Sequence, residues 1–151
     1  MRRALLLPPL AALLALTACS EAGEQPASLP DGWVARTLDG VELALEVADT
    51  RQERSKGLMG RTSVPAGTGM VFRYDGLSEN RFYMFDVPIP LRATFVRQGR
   101  VVSTVVMPPC GLPEPAACPT YGAAGPYDTV VETDPAVAPD PAPGDALVLQ
   151  D

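Results

Sequence analysis

The chain has 151 residues, enough for one domain and short for two. It contains no histidine, which excludes Ser-His-Asp and Cys-His catalysis, histidine-ligated zinc and a histidine pH switch. Twelve basic residues against 18 acidic ones give a net charge of −6, a sign that argues against nucleic acid as a partner.

The N-terminus begins Met1-Arg2-Arg3 and continues as an apolar run from Ala4 to Leu16. That run is too short for a spanning helix, which needs ~20 residues, and suits the apolar region of a signal peptide. It ends in Leu16-Thr17-Ala18-Cys19, which resembles the lipobox of bacterial lipoproteins. The resemblance implies a signal peptide over 1–18, cleavage before Cys19 and lipidation of its sulfur, with palmitate-type chains. Two or three chains anchor stably where one does not. The alternative is a plain secretory signal. Residues 19–32 then form the lipidated cysteine and a flexible tether, and residues 33–151 a single β-rich domain. Twelve residues of coil reach roughly 20 Å. Loss of Arg2 and Arg3 would leave 10 basic residues, and 10 − 18 makes the mature charge −8. The expected location is the cell envelope, facing the periplasm or the exterior. Ser20 after the cysteine, in place of Asp, resembles an outer-membrane signal if the cell has two membranes.

In the body, Val41 to Ala48 alternates, with Val41, Leu43, Leu45 and Val47 on one face, as a half-buried strand does. Thr50-x-x-Glu53 fits a capping box and predicts a short helix over 51–58, stopping near Gly57 or Gly60. Gly67 and Gly69 lead into a strand from Met70 to Tyr74. The aromatic-rich run from Arg81 to Val87 reads as another, broken by Pro88 and Pro90. Leu91 to Arg97 and Arg100 to Met107 flank Gln98-Gly99, a hairpin turn. Ten prolines between Pro108 and Pro143 make that stretch mostly loop, while Tyr127–Thr133 and Ala146–Gln150 read as closing strands. The expected fold is mainly β: a compact β-sandwich or jelly-roll-like single domain with one short helix and a long Pro-rich loop region.

Cys110 and Cys118 remain once Cys19 is assigned to lipid. In an oxidising compartment a disulfide is their default state. The alternative is a redox-active dithiol, although the spacing is not C-x-x-C and no cation or helix start is evident beside either thiol.

Several local patterns occur in order: Glu53 to Arg61 with Gly57-Leu58-Met59-Gly60-Arg61, then Gly69-Met70-Val71-Phe72, Phe82-Tyr83-Met84, Ile89-Pro90-Leu91 with Phe95, and Pro108-Pro109-Cys110 running on to Cys118-Pro119-Thr120-Tyr121-Gly122. The order resembles the uncharacterised family called domain of unknown function 192, over about residues 40–151. The resemblance implies a compact β domain in secreted or envelope proteins and implies no reaction. Met84-Phe85-Asp86-Val87 stands where that family usually has Met-Lys-Asn-Thr, and Ile89-Pro90-Leu91-Arg92 where it usually has Ile-Pro-Leu-Asp.

Three groupings are candidates for a ligand. Asp86 between Arg81 and Arg92 suits an anionic or sugar-like ligand, or is an ion-pair cluster on a sheet face. Arg54, with Glu53 and Arg61, forms a rim around the short helix. Alternatively, Arg61 closes helix carbonyls while Leu58 and Met59 pack inward. Tyr121 and Tyr127 beside the cysteine loop suit a carbohydrate platform, or are half-buried packing residues. No nucleophile motif, cofactor motif or D-x-D-x-D metal loop is present. The expected function is therefore a lipid-anchored, non-catalytic binding or interaction domain for an envelope glycan or an envelope protein. Two other classes compete with it. One is a carboxylate-dependent hydrolase of envelope glycans, which a pocket holding a desolvated acid of raised pKa would favour, with Asp86 its leading candidate. The other is a structural or assembly role.

Overall fold

The computed structural model describes residues 29–149. The signal segment, Cys19 and most of the tether lie outside the described residues, as do Gln150 and Asp151.

Strand β1 (Trp33–Leu38) turns through Asp39-Gly40 and returns as β2 (Val41–Ala48), with Leu38 opposite Val41. Both turn residues have positive φ, 49° and 73°, the two-residue geometry whose twist matches that of the flanking strands. β1 is an addition to the expected elements, and Asp-Gly before an alternating run is the signal that announces it. On β2, Leu43 and Leu45 are buried and Val47 packs half-buried on the same cluster, so the predicted stripe reaches the core except at the exposed Val41.

The helix α1 (Arg51–Lys56) forms with the predicted capping box intact. The Thr50 hydroxyl accepts the Glu53 N–H at 3.2 Å, and the Glu53 carboxylate accepts the Thr50 N–H at 3.0 Å. That pairing holds the Glu53 carboxyl below the usual carboxylate range. The helix ends two residues earlier than predicted because Gly57 takes a positive φ of 46°. Gly57 also lets the chain pass close to Phe72, whose Cζ would lie 3.3 Å from an added Cβ.

The chain then runs through β3 (Thr68–Ser78), β4 (Phe82–Tyr83), β5 (Leu91–Arg97) and β6 (Arg100–Met107). A 3₁₀ turn at Pro115–Ala117, β7 (Thr120–Tyr121), β8 (Tyr127–Thr133) and β9 (Leu147–Leu149) follow. The strand predicted over 81–87 is a correction: it shrinks to Phe82–Tyr83, because Asp86 has a φ of 55° and leaves extended geometry. The β5–β6 hairpin closes through Gln98-Gly99 as predicted, with φ of 50° and 72°.

One seven-stranded sheet has the order β6-β5-β8-β3-β2-β1-β9, and β4 pairs with β7 in a second, two-stranded sheet. β2 and β3 are parallel, with α1 in their crossover, and the other pairs are antiparallel. The large sheet curls until its ends meet: Arg100 bridges Ala146, and Leu147 N–H donates to Gly99 O at 2.9 Å. This produces the mainly β single domain with one short helix that the sequence predicts. Curling buries both faces of the central strands. Met70, Phe72 and Val130 belong to one apolar cluster, with Phe95 and Tyr127. Val71 and Val131 belong to the other, with Leu43 and Leu45. Alternation along a strand assigns neighbours to opposite faces, so β8 reads as nearly continuous burial. Among the described residues no helix is long and apolar enough to cross a membrane.

Candidate ligand-binding site

Where α1 and β4 lie over the first cluster, a cavity of about 550 Å³ opens to solvent. Exposure sorts its lining into floor and rim. Phe72, Met84, Leu91 and Glu132 are buried, whereas Arg51, Lys56, Arg81 and Tyr83 are exposed.

Glu132 is the notable floor residue. It lies on β8 between β3 and β5, with Met70 and Ala93 as its register partners. Its period places it on the same face as Val130, above the first cluster. It is 5% exposed and makes no hydrogen bond or ion pair among the described residues. Burial pushes its carboxyl up to about 8, since nothing nearby offsets the loss of water. At pH 7 the protonated form therefore predominates, which carries one O–H donor and a carbonyl acceptor at the cavity.

Aromatic rings stand at the cavity wall and in the core behind it, beside the polar side chains of Ser55, Tyr74, Asn80 and Tyr83. Phe72 meets Phe82 edge-on at 5.3 Å, Phe82 meets Phe95 at 5.7 Å, and Phe95 meets Tyr127 at 5.0 Å. Tyr127 is fully buried and donates to Asn80 O at 2.7 Å. Tyr74 packs edge-on to Tyr127, and burial together with that neighbour raises its phenol above the usual tyrosine range.

The rim is cationic. Arg54 lies 4.9 Å over the Tyr74 ring and donates to Arg73 O at 2.8 Å and to Asp49 O. Arg81 is pinned to β7, its Nε donating to Thr120 Oγ1 at 2.9 Å and its Nη2 to Thr120 O at 2.7 Å. Arg51 and Lys56 extend from the exposed side of α1 without a side-chain partner among the described residues. Glu132 is the one acid among the described lining residues, so a chain of net negative charge presents a positive mouth here.

Arg54 and Arg81 thus line one cavity, while the other expected residues do not join them. Arg92 is a correction. It is 7% exposed, donates to Pro139 O at 2.8 Å and pairs with Asp140 at 3.1 Å, which ties down the Pro-rich segment. Asp86 is exposed and pairs with neither arginine: the ion pairs among the described residues are Arg92–Asp140 and Arg61–Glu46. Its left-handed φ suits Asp or Asn, and its carbonyl accepts the Gly60 N–H at 2.7 Å. The backbone therefore accounts for that residue type. Arg61 reaches Glu46 at 2.6 Å instead of the helix carbonyls, while Leu58 and Met59 pack inward. Tyr121 pairs opposite Phe82 and packs on the core, and Tyr127 is wholly enclosed, so the two do not form a platform. The Cys110–Cys118 disulfide is formed, with Cα atoms 5.8 Å apart. Cys110 N–H donates to Met84 O at 3.3 Å, which fixes the far end of the β4 wall. Among the described residues no group of three or more His, Cys, Asp or Glu side chains is arranged to hold a metal.

Sequence reasoning missed Glu132. Its signal is an acid flanked by Val130, Val131 and Thr133 inside a strand, which is informative only once β8 is known to be central.

Comparison with known proteins agrees with this fold. A solved structure of a protein of unknown function from Novosphingobium aromaticivorans is 28% identical, with a TM-score of 0.59, covering 76% of this chain and 84% of that one. Another, from Sinorhizobium meliloti and provisionally named a transcription regulator, is 20% identical with a TM-score of 0.60, covering 76% of this chain and 90% of that one. At that identity the second likeness shows the fold alone. No curated protein matches the chain. The family model of DUF192, described as an uncharacterized ACR, matches residues 34–145, well over half the chain, and the protein accordingly belongs to the DUF192 family.

Proposed function

We propose that this is an envelope lipoprotein, held at Cys19 by its lipid, whose domain binds a small anionic molecule in the cavity between α1, β4 and the curled sheet. One observation carries the reading: a buried, unpaired carboxyl inside a cavity of about 550 Å³ whose rim is cationic. A fold keeps an unpartnered acid at a cost in stability, and a site whose polar group awaits a ligand explains the cost. The volume lies within the range of small-ligand pockets, roughly 300–1,000 Å³. Glu132 also supplies the raised-pKa acid that a glycan hydrolase would use. A paired-carboxylate mechanism needs a second acid about 5–9.5 Å away, and the described lining offers none, so binding is favoured.

The test is a thermal-shift panel on the full chain in detergent micelles, with acetate, benzoate, phosphate, glucose and putrescine. A ligand at 100 times its Kd adds ~2.7 kcal/mol. The expected result is stabilisation by anions that Arg51→Glu with Lys56→Glu removes. A flat response to all anions, or stabilisation by putrescine alone, overturns the binding-site reading. The anchor is tested by palmitate labelling in a bacterial host, where Cys19→Ser should abolish the label. An unlabelled wild type overturns it.

A further inference from the structure

The cavity has a polarity order along its depth, and that order selects a ligand shape. We propose that it takes a small organic monoanion with an anionic head at the Arg51–Arg54–Lys56–Arg81 rim, a short apolar or aromatic body lying against the Phe72 and Phe82 rings, and a neutral hydrogen-bonding end, carboxamide or hydroxyl, against Glu132. The inference rests on the binding reading above and specifies its ligand.

Each part follows from a neighbour. Guanidinium groups pair with carboxylate and phosphate oxygens, so the head faces outward to the rim. The Phe72 and Phe82 rings offer no hydrogen bonds, so hydroxyls laid against them would lose their water without replacement. This disfavours a body that carries hydroxyls on the face toward those rings. A simple fatty acid fails at the other end, because its tail would leave Glu132 unpaired. A cationic ligand would have to pass four like charges. A neutral carboxyl offers a donor and an acceptor side by side, which a carboxamide matches in a two-point pair and a hydroxyl in a single exchange.

The charged groups around Glu132 are few. Helix α1 brings Arg51, Arg54 and Lys56, the β3–β4 segment brings Tyr74 and Arg81, and Arg92 of β5 is held by Asp140. Burial pushes the Glu132 carboxyl up to about 8, inside the window from pH 6.5 to 9, while the Tyr74 phenol is held above its usual range.

Calorimetric titration of the full chain in micelles at pH 6.5 tests the proposal, with 4-carbamoylbenzoate as the probe. Benzoate lacks its neutral end, benzamide lacks its charge, and glucose 6-phosphate replaces its body with hydroxyls. The probe should bind at least tenfold more tightly than each of the three. Its affinity should fall about tenfold by pH 9, as the neutral fraction of Glu132 falls. Glu132→Gln keeps a donor and an acceptor without a charge, so it should bind at pH 6.5 and lose that fall. Glu132→Leu should reduce the probe to the level of benzoate. Benzoate matching the probe, or glucose 6-phosphate exceeding it, overturns this ligand shape while leaving an anion-binding site in place. Probe binding that is independent of pH in wild type also overturns it, and needs no variant to fold. Silence from every anion overturns both the ligand shape and the binding reading.

Discussion

At the scale of one residue, Glu132 links stability to pH. Its carboxyl titrates at about 8 in the folded protein and near ~4.3 in an unfolded chain. Between those values the unfolded chain has released its proton and the folded one has not. Unfolding there releases a proton, so stability falls as pH rises from about 4 to about 8 and levels off above. At ~1.4 kcal/mol per unit the fall reaches several kcal/mol. Glu53 has the opposite sign and a different window: its lowered carboxyl loses its contribution as pH drops below the usual carboxylate range. Thermal melts of wild type should therefore show a higher midpoint at pH 5 than at pH 8.5. Glu132→Gln should flatten that slope and exceed wild type at pH 8.5. Equal midpoints at both values, or a Gln variant weaker at pH 8.5, would contradict a buried neutral acid. None of this was legible in the sequence, where Glu132 is one of 18 acids. Its burial depends on a sheet that curls over β8, and curvature is a property of seven strands together.

At the scale of elements, local signals survived and long-range ones did not. The capping box is complete within four residues, so Thr50 and Glu53 fix the start of α1 wherever the helix sits. The Gln98-Gly99 turn is just as local. The strand read over Arg81–Val87 failed because a left-handed residue at Asp86 overrides aromatic β-propensity. Arg54 and Arg81 were recognised as candidates, but 27 positions separate them, and only the packing of α1 beside β4 brings them to one cavity. The helix is weakly held: it has six residues and none is buried. Its cap therefore matters more than a cap usually does. Thr50→Ala should destabilise the domain by about 1 kcal/mol in urea melts. It should also weaken anion binding, since Arg51, Arg54 and Lys56 all stand on the turn that the cap holds. A stability loss with unchanged anion affinity would separate the helix from the site.

At the scale of the whole molecule, two parts differ in what secures them. The seven-stranded sheet is fastened by its own ladders and by the bridge that joins Arg100 to Ala146. The cavity wall built from β4 and β7 has only two pairs in register, Phe82–Tyr121 and Tyr83–Thr120. Three further ties hold it: Arg81 on Thr120, the Phe85–Cys110 bridge and the Cys110–Cys118 disulfide. Closing a loop with a separation of eight residues contributes about 2.5 kcal/mol by chain entropy. In a region with so few ladder bonds, that contribution is expected to act locally. Hydrogen exchange on the oxidised chain and on a Cys110→Ala/Cys118→Ala variant distinguishes the possibilities. Amides of residues 82–85 and 118–122 should lose protection, those of β3, β5 and β8 should keep theirs, and affinity for small anions should fall as the Arg81 side of the rim loosens. Uniform loss across all strands would instead make the disulfide a fastening of the entire barrel-like sheet. Unchanged exchange in the β4–β7 pair would mean that Arg81 and the short ladder hold the wall without it.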